Sequence, residues 1–154
     1  MIVNWVGGAM IVALLVAMPN RDWIMSAFDL SPSPDADRLI MGLRAVATIG
    51  LAAIPLHYII LKRLLAIVDT VRAGDPFVAA NADRLQTIAR AMLAIQLISM
   101  VIGTIGKAVS STAHPVNLDA GFSVSGWLSV LFTFLLARVF AEGTRMRDDL
   151  EGTV

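Results

Sequence analysis

Apolar residues in this chain gather into four long runs separated by polar breaks. The runs place four membrane-spanning helices at about residues 2–18, 39–62, 88–106 and 121–138. A helix needs about 20 mainly apolar residues to cross a hydrocarbon core about 30 Å thick, and these runs approach or reach that length. The pattern predicts an all-α, single-domain integral membrane four-helix bundle. A polar hairpin occupies residues 63–87 and a polar tail residues 139–154.

The first run has Asn4 and Trp5 near one end and Pro19-Asn20 at the other. A secretory leader would need a basic start, and no Lys or Arg precedes Arg21, so a retained helix is expected. Gly7 and Gly8 would let a neighbouring helix approach closely. Trp23, Ile24, Met25 and Phe28 then recur at helical spacing, which predicts a short interfacial helix with an aromatic at headgroup depth. The Ser31-Pro32-Ser33-Pro34 run cannot continue a helix and reads as a turn.

Pro55 removes one backbone hydrogen bond in the middle of the second span, so a kink is expected near residues 51–55. Beyond Lys62-Arg63 the apolar pattern narrows to a stripe of Leu64, Leu65, Ile67, Val68 and Val71. The helix should run past the membrane as an amphipathic extension to about Ala73, with Gly74 as its stop. Asp75-Pro76 is a helix-start signal, with Asp75 as cap and Pro76 in the first turn. Asn81 either continues that helix or caps a new one. The fourth span continues without a break into the tail, which should leave the membrane and lie against the hairpin.

Composition narrows the chemistry. Of 154 residues 57% are hydrophobic and 16% charged, which suits a membrane protein better than a soluble domain. The formal charge is zero, with 12 basic and 12 acidic residues, so overall charge gives no reason to expect direct nucleic-acid binding. Without cysteine, disulfides and thiol chemistry are excluded. No nucleophile–base pair, paired intramembrane carboxylates or metal-ligand spacing is present, so neither an enzyme nor a resident metal or cofactor is expected. His114 and Asp119 could meet the aspartates of the first loop, but no ligand spacing supports a metal there.

Charge placement says more than its sum. Lys62, Arg63, Arg72, Arg84, Arg90, Arg138, Arg145 and Arg147 fall on one side of the predicted topology. Arg21, Arg38 and Lys107, outnumbered by aspartates, fall on the other. The positive-inside rule puts the hairpin and both termini in the cytoplasm. A few polar residues lie inside the spans. Arg44 sits about 9 Å past the start of the second helix at 1.5 Å per residue, and either snorkels outward or faces a polar group. His57 is a helix-packing donor or a ligand site, and Gln96 an interhelical hydrogen-bonding group or part of a polar interior. Ser125 and Ser129 belong to the small, weakly polar face of the fourth span.

Two stretches carry a resemblance. GDPFVAANADRL in the hairpin and RVFAEGTRMRDDLEGTV in the tail resemble the signatures of a domain-of-unknown-function family of bacterial four-helix membrane proteins. Such proteins are often encoded beside a small Cro-type helix-turn-helix regulator. The matching positions are Gly74, Pro76, Phe77, Asn81, Arg84 and Leu85, then Phe140, Gly143, Asp149, Thr153 and Val154. The stretch before the first span is shorter here than in that layout. The resemblance implies no catalytic or ligand-binding residues, but its gene neighbourhood implies a regulatory partner.

Two functions follow as expectations. In one, the hairpin and tail form a small cytoplasmic head that binds a helix-turn-helix regulator. Arg72, Asp75, Pro76, Phe77, Asn81, Arg84, Phe140, Arg145 and Asp149 would be its partner-binding residues, with Phe77 and Phe140 as apolar centre and Asp83 and Asp148 on the rim. In the other, Arg44, His57, Gln96, Ser125 and Ser129 converge inside the bundle to bind a small molecule or lipid, for export or immunity. The expected partners are the bilayer, the regulator and, as a further candidate, a second copy of the chain.

Overall fold

A computed structural model describes residues 2–17, 21–27, 32–110, 116 and 118–151. Expectations that fall on Pro19-Asn20, Phe28, Ser31, His114 and Thr153-Val154 lie outside these, as do the side chains of Trp23 and Asp148. Six helices account for most of the described chain: α1 (Ile2–Ala17), α2 (Arg21–Ala27), α3 (Pro34–Leu51), α4 (Ala53–Arg72), α5 (Ala79–Val109) and α6 (Val124–Glu151). Every described element is helical, as the period of the apolar runs requires.

Three stretches are long and apolar enough to cross a membrane: Pro34–Arg72, Ala79–Val109 and Val124–Arg147. Only 17%, 28% and 11% of their most apolar windows are buried, so the apolar surface points outward, as it does when lipid is the solvent. α1, expected as a full span, has 16 residues. At 1.5 Å per residue these described residues rise about 24 Å.

The chain divides into two compact units, Met1–Pro55 with Gln96–Phe122, and Leu56–Ile95 with Ser123–Val154. In the first, Ser33 caps α3 by accepting the Ala36 N–H at 3.1 Å, and Pro34 occupies its first turn. Ile24, Ala36, Leu39 and Ile40 form the core, with Leu15, Met25, Leu43, Ala47, Val109 and Val116 against it. The short helix expected here is α2, and its Ile24, 2% exposed, plugs this core. Seven residues are too few to hold a helix by themselves, so its stability comes from that packing. α3 breaks at Ala52, where the missing Pro55 N–H would otherwise have bonded the Leu51 carbonyl. That is the position expected for the kink. Asn4 of α1 donates to the Ile54 carbonyl at 3.3 Å, and Gly8 admits the Ile54 side chain.

Close approach in this unit depends on absent side chains. A β-carbon at Gly103 would stand 2.6 Å from the Ala120 carbonyl oxygen, and one at Gly42 would stand 2.5 Å from Val109 Cγ1. Ser99 fixes the same connection by donating to the Gly121 carbonyl at 3.4 Å and accepting its N–H at 3.1 Å.

The second unit is the α4–α5 hairpin with α6. Leu85, Ile88, Ala89, Ala91, Val130 and Ala137 are buried in it, and Thr133 donates to Met92 Sδ at 3.5 Å. Leu128, Leu131, Phe132, Leu135 and Leu136 of α6 stay exposed, the expected state of a lipid-facing stripe.

Candidate functional site

The hairpin and the tail meet inside the second unit. α4 ends on Gly74, whose φ of +82° is a left-handed conformation that glycine adopts without strain. The Asp75 N–H reaches back to the Thr70 carbonyl at 3.1 Å and the Gly74 N–H to Val71 at 3.0 Å, satisfying the last carbonyls of the helix. The chain then stays non-helical through residues 75–78, and α5 starts at Ala79. The expected start at Asp75-Pro76 is therefore corrected: the Asp75 carboxylate is engaged by Arg147, and the Pro76 carbonyl by Asn81. Neither is left to open a helix.

Asn81 is the fastening point. Fully buried, it donates to Thr70 Oγ1 at 2.7 Å and to the Pro76 carbonyl at 2.9 Å. Its oxygen accepts from the Arg84 guanidinium at 2.7 Å, and Arg84 also donates to the Ala66 carbonyl at 3.1 Å. One amide thus ties the end of α4, the bend and the first turns of α5. Arg84, expected on a charged rim, points inward to serve this network. The reason is that a carbonyl of α4 and the Asn81 oxygen both lie within its reach.

The tail covers the other side of the bend. The Phe77 and Phe140 rings sit 5.4 Å apart at 34°, as the apolar centre was expected to. Gly143 makes room for them, since a β-carbon there would stand 3.0 Å from Phe77 Cδ1. Arg147 of α6 donates to Asp75 in an ion pair whose side chains are 46% and 40% exposed. Arg147 was not among the expected site residues. The signal was present: Phe140, Gly143 and Arg147 follow i, i+3, i+7 and share one helix face. Arg145, which was expected, turns instead to Glu142 at 3.8 Å, with both side chains largely exposed. Arg72 and Asp149 are exposed on α4 and α6.

The polar residues expected inside the bundle are divided. Arg44 and Gln96 belong to the first unit; His57, Ser125 and Ser129 belong to the second. Arg44 and His57 are exposed, and Ser129 donates back to the Ser125 carbonyl at 2.8 Å. Gln96 is buried at 8% exposure, and its Nε2 has no hydrogen-bond partner among the described residues.

The family described as "Protein of unknown function (DUF2975)" has a sequence model that matches residues 17–154. The chain belongs to that family. The match begins at the last residue of α1 and takes in the hairpin and the tail. No curated protein and no solved structure matches the chain.

Proposed function

We propose that this family member is a non-enzymatic, multi-pass protein of the bacterial inner membrane with a regulatory or sensory role. In this reading α1 supplies a fourth membrane segment, and both termini lie in the cytoplasm. The bend and the tail form a cytoplasmic head that holds or releases a protein partner of the helix-turn-helix regulator class. The observation that carries the reading is the unequal fastening of the bend at residues 75–78. On one side stands the buried Asn81 network. On the other are a half-exposed aromatic pair and an exposed ion pair, both supplied by the tail.

The magnitudes make the tail the element able to exchange. An aromatic pair adds about 0.5–1.5 kcal/mol beyond its burial and an exposed ion pair about 0–1 kcal/mol. A gap of about 2 kcal/mol leaves an undocked tail populated at a few per cent, within reach of a partner that prefers one state. Undocking would uncover Phe77 and free the Asp75 carboxylate, one apolar and one acidic contact on a rigid turn.

Two experiments test this. Purification of the full chain from its host in mild detergent is expected to recover a helix-turn-helix regulator, and deletion is expected to change the regulator's target expression. Recovery of none, with expression unchanged, rejects the reading. A single cysteine at Ala73, which is exposed, should react with impermeant maleimide only from the cytoplasmic side. Labelling from the other face rejects the orientation.

A second reading, a small-molecule or lipid binder acting through the bundle interior, is favoured by the unpaired Gln96 Nε2. If Gln96 serves a ligand, Gln96→Leu abolishes binding. If it does not, the substitution only stabilises the fold by removing a buried unsatisfied donor.

A further inference from the structure

Within the second unit, α5 and α6 flank a half-open cavity of about 330 Å³, whose polar lining residues are exposed, at the lower end of the range that holds small ligands. Its walls are built in a definite order. Ala82, Ala137 and Ala141 are small enough to open the space between the helices. Phe134 closes it toward the apolar part of α6, while Asp83 and Gln86 from α5 face the cavity alongside Arg138 from α6. The acid and the base therefore come from different helices. Among the described residues neither the Asp83 carboxylate nor the Arg138 guanidinium has an ion-pair or hydrogen-bond partner. Two opposite charges line one small space without satisfying each other.

The sequence sets the depth of this cavity. Arg138 is the first charge after the apolar run of α6, and Gln86 lies just before the apolar run of α5 begins at about residue 88. The cavity thus falls where both helices pass from apolar to polar sequence, the level of phospholipid headgroups. One turn further into α6, Leu131 and Leu135 are 61% and 55% exposed and offer an apolar track leading away from Phe134.

We propose that this cavity binds the headgroup of an aminophospholipid, with the phosphate on Arg138 and the primary ammonium on Asp83. Gln86 can serve both, since its carbonyl accepts from the ammonium and its amide donates to the phosphate. A purely anionic headgroup would meet the Asp83 carboxylate unneutralised, and a purely cationic one would meet Arg138. A quaternary ammonium carries the charge but has no N–H to donate to Asp83. The acyl chains lie over Phe134 and the Leu131–Leu135 track, so the source is the membrane rather than free phosphoethanolamine.

Native mass spectrometry of the full chain, released from micelles containing equal phosphatidylethanolamine, phosphatidylcholine and phosphatidylglycerol of matched acyl chains, tests this directly. Phosphatidylethanolamine should be retained about tenfold over phosphatidylcholine, the worth of one charge-assisted hydrogen bond. Asp83→Asn should erase that preference while phosphate-dependent retention persists. Arg138→Gln should lower retention of all three lipids. Arg63→Gln, on exposed α4 and outside the cavity, should change nothing. Equal retention of the three lipids by the unaltered chain overturns the proposal, as does an unchanged preference in Asp83→Asn. Displacement of the lipid by millimolar free phosphoethanolamine would overturn the assignment to a lipid. Unaltered thermal unfolding of the variants separates these losses from misfolding. The readout is lipid retention, so it stands whether or not a regulator docks on the head.

Discussion

In the unit of Met1–Pro55 and Gln96–Phe122, segments are brought together by what is missing. Gly103 lets a carbonyl in to where a side chain would stand, Gly42 lets in Val109, and Gly106 lets in Leu118. In the unit of Leu56–Ile95 and Ser123–Val154, segments are held by what is present: one buried amide, one guanidinium, two aromatic rings and an ion pair. The first mode suits lipid surroundings, where close backbone approach supplies dispersion contacts that the hydrophobic effect does not. The second suits a region that meets water, where polar groups can be exposed, traded or screened. The difference matters for function, because a fastening made of removable polar and aromatic contacts can be undone by a partner, and a glycine contact cannot.

The most severe way to test this contrast is to remove the amide. Asn81→Ala deletes two donated bonds and one accepted from a charged group, and leaves Arg84 and the Pro76 carbonyl short of partners. At about 1 kcal/mol per neutral bond and more for the charged one, the expected loss is about 3 kcal/mol. It is measured by unfolding in mixed micelles. A loss no larger than that of an exposed salt bridge would mean the network does not hold the hairpin. Next comes Gly103→Ala, whose β-carbon must displace backbone rather than the end of a side chain. Overpacking of this kind costs about 1–3 kcal/mol. Gly50, which has open space around it, should accept alanine without loss and serves as the control.

These two positions also mark what the sequence could and could not reveal. The three long apolar helices, the break ahead of Pro55 and the stop at Gly74 were readable from local rules of period, ring closure or left-handed φ, and the meeting of Phe77 with Phe140 from a topology that ends both polar stretches on one side. Asn81 is singled out both as a candidate cap and by the resemblance, but its role was not readable. Whether it caps a helix or crosses to Thr70 depends on where α4 stands, a tertiary fact. Gly103 carries no signal in the sequence, because its partner at Ala120 approaches through the fold rather than through any spacing. The part Ile24 plays in the core was not readable for a related reason. A short apolar cluster looks the same whether it faces headgroups or a protein core, and only the cup formed by Ala36, Leu39 and Ile40 decides it. Charge alone does not separate Arg145 from Arg147; only the helix face shared with Phe140 and Gly143 points to Arg147.

A smaller effect is expected at the ring pair. Phe140→Ala removes the partner of a Phe77 that is already 44% exposed. The loss should therefore be about 1–2 kcal/mol, below the about 3–5 kcal/mol typical of a fully buried ring. The more informative readout is local. The chain is free of cysteine, so a single Thr144→Cys, at a position 7% exposed, reports whether the tail is docked. Adding Phe140→Ala should speed its labelling roughly tenfold, since about 1.4 kcal/mol is a factor of ten in the docked equilibrium. Unchanged labelling would place the docking energy elsewhere in α6.

The smallest effect, and the one that most sharpens the contrast, belongs to Arg147. Its pair with Asp75 is nearly half exposed on both sides, so Coulomb attraction is weakened by water and offset by the ordering of a long side chain. Arg147→Gln should cost about 0.5 kcal/mol at low salt. The difference should shrink toward zero by about 1 M salt, where the screening length falls to about 3 Å. Asn81→Ala should keep its full cost over the same range, because a buried network is shielded from mobile ions. The two salt profiles, taken on the Thr144→Cys labelling rate, separate a latch held by screened charge from a joint held by buried hydrogen bonds. Parallel profiles would mean that the bend is held in one way on both sides, and that the tail has no special freedom to leave.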